Sequence, residues 1–249
     1  MASMTTEHQA AGWTRELAGA CAADILRWAA ETFAGQVALA SSLGLEDQVL
    51  TDLLAHHSPA LPIFTLDTGR LFPETYDLLA RTERCYGLKI NITFPAVDEV
   101  ERWVNEHGID AYRQSVELRK ECCRVRKVAP LRRALAGFAA WICGLRREQA
   151  VTRRDVSVVE WDGALGLFKI NPLIDWSEAQ VWAAIRAHDV PYHPLHDQGF
   201  PSIGCACCTR AVAPGEDVRA GRWWWESPEH KECGLHQVRS AECGVRSKE

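Results

Sequence analysis

The sequence lacks the features that would place the chain in a membrane or direct it to export. None of its apolar runs reaches about 18 residues, the length a membrane-spanning helix needs. The first ten residues contain no basic segment followed by an apolar stretch, so no secretory signal is predicted. We therefore expect a cytoplasmic protein with no membrane partner.

The chain also lacks an excess of positive charge. It carries 28 Lys and Arg against 33 Asp and Glu, a formal net charge of −5. A protein with this balance has no overall attraction to nucleic acid, so we expect no nucleic-acid partner. An anionic ligand would need a local group of basic side chains.

Cysteine is plentiful, with ten residues, but the pattern does not indicate a disulfide framework. The cytosol keeps thiols reduced, and the spacing does not fit a small domain held together by disulfides. Metal binding or redox chemistry is the better interpretation. Cys21, Cys85 and Cys143 lie in apolar segments and are interpreted as buried or incidental thiols.

The order of apolar segments predicts an α/β fold. Short apolar runs alternate with segments of helical periodicity, the pattern of a doubly wound, mainly parallel sheet with helices on both faces. The length of 249 residues suits one such domain. The predicted strands cover residues 36–40, 62–66, 88–94, 138–143 and 156–161, and the predicted helices cover 15–33, 117–135 and 177–188, with others beginning at Glu46 and Pro73.

The pattern changes after Trp176. A helix with Ser177 as its candidate N-cap is followed by a loop-like stretch rich in Pro, Gly and Cys. The residues beyond this stretch are polar apart from one run of three tryptophans. We expect an α/β domain over residues 1–214 and a mobile C-terminal tail over residues 215–249.

A turn of small and hydroxyl residues follows the first predicted strand. It contains Ser41, Ser42, Gly44 and Asp47, directly before a predicted helix. Small residues let backbone N–H groups approach an anion, hydroxyls add donors, and the helix N-terminus adds partial positive charge. The position after the first strand of a parallel sheet favours a ligand site. A plain helix cap is the alternative. The turn is not a Walker-type loop, because no Gly-Lys-Ser/Thr follows it.

A second candidate turn follows the next predicted strand. Leu66 ends that strand, and Asp67, Thr68, Gly69 and Arg70 come after it. Parallel topology places this turn beside the first one. Asp67 is able to accept a hydrogen bond from a ribose or a base, and Arg70 is able to face a phosphate. A turn without a ligand fits the pattern equally well.

Two groups of cysteines point to a metal centre: Cys122 with Cys123, and Cys205 with Cys208. A Cys-x-x-Cys pair can direct both sulfurs to one centre. Adjacent side chains diverge by roughly 100° on a helix, so binding a single zinc through both is awkward. A cubane cluster offers each sulfur its own iron, which favours [4Fe–4S] over zinc. Cys207 is interpreted as a bystander.

Lys127 follows Cys123 by four residues, which puts it on the same helical face one turn later. A [4Fe–4S] unit with four thiolate ligands carries two negative charges, so a neighbouring cation is expected. Such a cation could also link the cluster to a bound anion. A solvated helix face is the alternative for the basic residues here.

These motifs belong to a larger set. Beside SSLGLED (41–47) and LDTGR (66–70), the set comprises ECCRVRK (121–127), GLRREQ (144–149), IGCACCTR (203–210), GEDVRAGRWWWE (215–226) and KECGLH (231–236). Together they resemble the adenylylsulfate and phosphoadenylylsulfate reductases of assimilatory sulfate reduction. The resemblance runs from about residue 36 to His236.

The resemblance implies a pyrophosphatase-type (PP-loop) fold, similar to the adenine nucleotide alpha-hydrolases, and a 5′-phosphosulfate nucleotide as substrate. Members with both cysteine groups bind a [4Fe–4S] cluster and use adenosine 5′-phosphosulfate. Because all four positions are cysteine here, that cofactor and that substrate are expected. The implied cluster ligands are Cys122, Cys123, Cys205 and Cys208, and the implied substrate-binding residues are Ser41, Ser42, Gly44, Asp47, Leu66, Asp67, Thr68, Gly69, Arg70, Lys127, Arg153, Arg219 and Arg222.

The resemblance also implies that Cys233 is the nucleophile. Its thiolate attacks the substrate sulfur, AMP leaves, and a thioredoxin- or glutaredoxin-type dithiol releases sulfite from the S-sulfonated cysteine. Thiolate and sulfate are both negative, so basic residues must screen their approach. Cys243 lies in a second Glu-Cys-Gly that lacks the following Leu-His, and is interpreted as non-catalytic.

Other functions stay open at this point. A reductase of the 3′-phosphorylated nucleotide would share most of these motifs. A PP-loop enzyme that thiolates RNA would have a basic face and a fuller Ser-Gly-Gly loop, and the sequence has neither. A nucleotide- or cluster-sensing protein without catalysis is a third alternative. The sequence leaves the oligomeric state open, a homo-oligomer included.

Overall fold

The computed structural model describes residues 5–58, 60–149, 153–227, 231 and 234–235. Within these ranges, no helix has the length and apolar character that crossing a membrane requires. The helices are α1 (Thr6–Glu16), α2 (Ala22–Phe33), α3 (Leu45–His57), α4 (Pro73–Tyr86), α5 (Val97–His107), α6 (Val116–Cys123), α7 (Ala129–Ala134) and α8 (Glu178–Ala187). The strands are β1 (Val37–Ser41), β2 (Ile63–Leu66), β3 (Ile90–Thr93), β4 (Ala140–Ile142), β5 (Val159–Asp162) and β6 (Leu167–Ile170).

The strands form one sheet in the order β3-β2-β1-β4-β6-β5. Neighbouring strands are parallel except β5 and β6, which are antiparallel. The chain builds outward from β1 to β3 and then returns to the other side of β1 with β4, so the strand order reverses between β1 and β4. Doubly wound sheets bind ligands at the carboxyl ends of their strands at such a reversal. The predicted fold class is confirmed.

The central strands β1 and β4 are buried without alternation. Val37, Ala38 and Leu39 are fully buried, as are Ala140 and Ile142. Continuous burial is expected where helices cover both faces of a parallel sheet. This packing holds the carboxyl ends of β1 and β4 in place, and the candidate site is built on those ends.

The predicted helix over residues 15–33 is wrong in its first part. The chain leaves α1 after Glu16, passes Gly19 at a φ of 79°, and enters α2 after Cys21 in extended conformation. Glycine adopts a positive φ without steric cost, so it breaks the helical periodicity at this point. The apolar pattern also predicts neither α5 nor β6.

The helix predicted over residues 117–135 is interrupted by a π-helical turn, Arg124–Val128. The Ala129 N–H bonds to the Arg124 carbonyl five residues back. Pro130 explains the wide turn, since proline has no N–H and its ring crowds the carbonyl four residues earlier. Such turns are frequent at functional sites, and this one carries Lys127.

Candidate active site

A cavity of about 270 Å³ lies at the carboxyl ends of β1, β2 and β4. Its position at the strand-order reversal is where the fold is expected to bind a ligand. Among the predicted substrate-binding residues, those that line it are Ser41, Ser42, Gly44, Asp47, Leu66, Thr68, Lys127, Arg153, Arg219 and Arg222. The remaining predicted residues, Asp67, Gly69 and Arg70, belong to the adjacent turn.

The turn between β1 and α3 is organised by the Asp47 carboxylate. One oxygen accepts hydrogen bonds from the Ser42 backbone N–H at 2.7 Å and from the Ser42 hydroxyl at 2.6 Å. The other accepts from the Gly144 N–H after β4 at 3.0 Å. Burial raises the pKa of Asp47 to about 6, and these hydrogen bonds from Ser42 and Gly144 oppose the rise. Asp47 therefore shapes the cavity by tying two strand ends together.

Gly144 is a position where a methyl group does not fit. An added Cβ would lie 2.5 Å from Asp47 Oδ1 and 2.7 Å from Glu46 Cβ. We predict that Gly144→Ala lowers the free energy of unfolding by about 1–3 kcal/mol, because the two strand ends must separate. Chemical denaturation of the purified protein measures this change.

The matched control is Gly12→Ala. An added Cβ at Gly12 meets nothing within 4 Å, and the residue lies inside α1. Alanine there should stabilise the protein by about 0.5–1 kcal/mol, since it favours the helix. Equal effects of the two substitutions would contradict this description of the Asp47 contact.

The turn after β2 is closed by its own hydrogen bonds. Asp67 Oδ1 accepts from the Gly69 N–H at 2.7 Å and from the Tyr76 hydroxyl at 3.1 Å. Gly69 has a φ of 69°, which favours glycine. The Arg70 guanidinium turns away from the cavity, 4.9 Å from the centre of the Tyr112 ring and within 2.6 Å of the Ile109 carbonyl oxygen.

Basic side chains outnumber acidic ones around the cavity. The basic residues that line it are Lys127, Arg146, Arg153, Arg219 and Arg222, and the acidic ones are Glu46, Asp47 and Glu178. Arg146 pairs with Glu46, Nε to Oε1, at 2.7 Å. A cavity with this charge suits an anion despite the net charge of the chain.

The lining residues that were not among the predicted site residues include Arg146, Gln149 and Trp223. Each lies inside a motif that carries the resemblance, so the sequence did contain a signal for them. The tryptophan run gave no separate hint of a binding role, because buried tryptophans are usually core residues.

The predicted cluster cysteines lie together beside the cavity. Cys122 and Cys123 end α6, Cys205 is the N-cap of a single helical turn over Ala206–Cys208, and Cys208 ends that turn. Each is 8% exposed, and all four line one small void. Burial raises the pKa of Cys122, and contact with Cys207 followed by burial raises that of Cys208.

Several polar groups surround these thiols. Thr68 Oγ1 lies 3.3 Å from Cys205 Sγ, and Cys207 Sγ lies 3.7 Å from Arg70 Nη1. The basic residues that line the void are Arg70, Arg119, Arg126, Lys127 and Arg222. In the described part of the chain, no group of three or more His, Cys, Asp or Glu side chains is arranged to hold a metal ion.

The other thiols divide by exposure. Cys143 is buried, as interpreted from the sequence, but Cys21 and Cys85 are exposed. Burial raises the pKa of Cys143, which also lines the cavity, to about 12. A thiol with this pKa is a poor nucleophile at neutral pH.

The cavity and the cysteine void share a wall. Lys127, Arg222 and Trp223 line both. The Arg222 guanidinium lies 4.7 Å from the centre of the Trp223 ring. A charge at the cysteines and a ligand in the cavity would therefore contact the same side chains.

The C-terminal residues that the structure describes return to this cavity. Leu235 lines it, and Arg219 Nη2 donates to the Lys231 carbonyl at 2.5 Å. A Cβ on Gly234 would lie 3.8 Å from Val128. The predicted nucleophile Cys233, and Cys243 with it, lie outside the described residues.

Comparison with known proteins places these features in a family. Residues 36–211 match the model of the phosphoadenosine phosphosulfate reductase domain. The chain belongs to this family. The matched range contains both turns, the cysteine groups and Lys127, so the resemblance inferred from the motifs is confirmed.

Curated members of the reductase family align with most of the chain. The adenosine 5′-phosphosulfate reductase of Allochromatium vinosum is 58% identical over 201 residues, 81% of this chain and 78% of that protein. The protein of the same name from Burkholderia cepacia is 54% identical, over 81% of this chain and 80% of that protein.

Solved structures agree on the fold. The phosphoadenylyl-sulfate reductase of Candida auris, a phosphate complex, has a TM-score of 0.71 and 31% identity, covering 85% of this chain and 99% of that one. Candida glabrata FMN adenylyltransferase has a TM-score of 0.54 at 14% identity, covering 93% of this chain and 78% of that one. The latter likeness supports the α/β fold alone.

Proposed function

We propose that the protein reduces adenosine 5′-phosphosulfate to sulfite and AMP, with thioredoxin as reductant, in assimilatory sulfate reduction. The observation that carries the proposal is the basic cavity at the strand reversal, sharing a wall with four buried cysteines. The choice of nucleotide rests on the relatives named adenosine 5′-phosphosulfate reductase, at 58% and 54% identity.

The nucleotide would lie with its phosphosulfate toward the basic side of the cavity. Turns after β1 and β2 present small residues and hydroxyls there, as anion-binding turns do. Arg153, Arg219 and Arg222 would carry the screening charge that lets a thiolate approach a sulfate. Asp47 and Asp67 would hold the two turns in shape, since their carboxylates already bond within them.

Cys233 would be the nucleophile of the first step. Its thiolate forms a bond to the sulfate sulfur, the bond between that sulfur and the bridging oxygen breaks, and AMP leaves with the electron pair. The product is Cys233 S-sulfonate. Support comes from its described neighbours, because Leu235 lines the cavity and Lys231 contacts Arg219.

The second step needs a dithiol protein of the thioredoxin or glutaredoxin type. One thiolate attacks Cys233 Sγ, and the bond to the sulfonate sulfur breaks, releasing sulfite with two electrons. The mixed disulfide is then resolved by the second thiol of the reductant, which returns Cys233 as a thiol. Such a reductant is cytoplasmic, which is where we propose the protein acts, without a nucleic-acid or membrane partner.

We also propose that Cys122, Cys123, Cys205 and Cys208 hold a [4Fe–4S] cluster. The donor chemistry fits, since the four buried thiols line one void together with basic side chains that would balance a dianionic centre. The Trp223 indole N–H, which lies at the same void, has no hydrogen-bond partner among the described residues and is able to donate to a sulfide. When bound, the cluster would supply negative charge that orients Lys127 and Arg222 from behind the shared wall.

Sulfite release from each of two nucleotides tests the proposed function. Purified protein with reduced thioredoxin should release sulfite and AMP in equal amounts from adenosine 5′-phosphosulfate. The 3′-phosphorylated nucleotide should react far more slowly. Preference for the 3′-phosphorylated nucleotide, or release of AMP without sulfite, would contradict the proposal.

A further inference from the structure

A buried ion pair joins α6 to the chain segment that precedes the proposed nucleophile. Arg119 is 0% exposed at its side chain and Glu226 is 3% exposed. The contact is bidentate, with Nε donating to Oε1 at 2.9 Å and Nη2 to Oε2 at 2.7 Å. Burial opposes the charge of Arg119, but Glu226 and the Cys123 thiol outweigh it and raise its pKa.

Arg119 also contacts the cysteine group. It lies one helical turn before Cys123 on α6 and lines the same void. The Cys123 thiol is near enough to the Arg119 guanidinium to help raise its pKa. Its guanidinium lies 4.7 Å from the centre of the Trp223 ring. One side chain thus touches a proposed cluster ligand, the shared wall and Glu226.

Residues 221–226, which we call the clasp, are attached on a second side. The Trp223 N–H donates to the Cys208 carbonyl at 3.2 Å, and Thr209 forms an antiparallel bridge with Arg222. The clasp is therefore bonded to both cysteine-bearing segments, to α6 through Glu226 and to residues 208–210 through its backbone. Cys233 follows Glu226 by seven positions, with six residues between them.

We propose that Arg119 is a positioning residue, which fixes the clasp so that the segment carrying Cys233 starts from a set point beside the cavity. The inference rests on the proposed function. Cys233 can lie at most about 25 Å from Glu226, since this is the length of seven residues when fully extended. A shift of the starting point moves a nucleophile that must meet a sulfur atom with sub-ångström accuracy.

The test is Glu226→Gln, which keeps the shape of the side chain and removes its charge. We expect S-sulfonation of Cys233 in a single turnover to slow at least about tenfold, because the C-terminal end of the clasp loses its ion pair with α6. Dissociation constants for adenosine 5′-phosphosulfate should stay within about twofold, since Arg222 and Trp223, which line the cavity, remain bonded through their backbone to residues 208 and 209. Iron and sulfide content should be unchanged.

The rate of trypsin cleavage, measured without nucleotide, reports on the clasp independently of catalysis. Trypsin cleavage after Lys231 should be faster in Glu226→Gln than in the wild-type protein. The double variant R119Q/E226Q should be cleaved at least as fast as the single variant, because it removes the same ion pair and also the contact of Arg119 with the Trp223 ring. Glu216→Gln is the matched control, since it breaks the exposed Arg210–Glu216 pair nearby and should change neither rate.

Cleavage and S-sulfonation in Glu226→Gln that both stay within about twofold of the wild type would overturn the inference. Loss of iron from this variant would also overturn it, because the pair would then serve the cysteine group alone. Wild-type protein that forms no S-sulfonate would contradict the proposed function, while the cleavage experiment would still test the clasp.

Discussion

Cys233→Ser is expected to lower thioredoxin-dependent sulfite release by at least about a thousandfold, on the scale seen when an enzyme loses its nucleophile. Serine keeps the size of the side chain, but its hydroxyl is hardly ionised at neutral pH. It also has no sulfur atom on which an S-sulfonate could form. Binding of adenosine 5′-phosphosulfate should persist, because the cavity walls are unchanged. Sulfite assay and nucleotide titration measure the two quantities.

Cys243→Ser is the control for this substitution. Cys243 stands in the same Glu-Cys-Gly context ten residues later, so both variants change one thiol of the C-terminal region. The control should retain wild-type turnover. Turnover above a few per cent of the wild type in Cys233→Ser, or loss of turnover in Cys243→Ser, would show that the nucleophile is a residue other than Cys233.

Cys205→Ser is expected to abolish binding of the cluster. A serine in place of one of four thiolates leaves an iron without its ligand in a buried site, so the purified protein should lose its visible absorption and most of its iron. The wild-type protein should contain about four iron and four sulfide per chain. Iron, acid-labile sulfide and zinc analysis of protein purified without oxygen measures this.

The substitution Cys207→Ser tests whether Cys207 is a ligand of the cluster or a bystander. Cys207 lies between two proposed ligands, and its sulfur is 3.8 Å from Cys208 Sγ. The variant should keep the iron and sulfide content of the wild type. If Cys207→Ser lost the cluster and Cys205→Ser kept it, Cys207 would be the ligand and Cys205 the bystander. Zinc in place of iron would contradict the proposed cofactor.

Much of the fold follows from the order of apolar segments. Buried strands such as β1 read as continuous apolar runs, and Pro73 marks the first turn of α4 because its ring suits that position. The π-turn after Cys123 was not predicted, since periodicity over a short stretch does not distinguish a wide turn from a regular one. β6 was not predicted because its residues form a strand only when paired with β5 and β4.

The parts of the candidate site that could be predicted are those whose residues lie close together in the sequence. Ser42, Gly44 and Asp47 are close in sequence, and their turn was found from residue types alone. Arg146 and Trp223 reach the cavity from distant segments, so only tertiary packing brings them there. Arg70 points to Tyr112 because the turn at Gly69 sets its direction, which spacing does not reveal.

The decisive measurement for Cys233 as nucleophile is mass spectrometry of the C-terminal peptides after the protein is mixed with adenosine 5′-phosphosulfate without reductant. We predict that the peptide with Cys233 gains the mass of one SO₃ group, that one AMP is released per chain, and that reduced thioredoxin removes the modification as sulfite. An unmodified Cys233 with AMP released, or an SO₃ group on another cysteine, would contradict it.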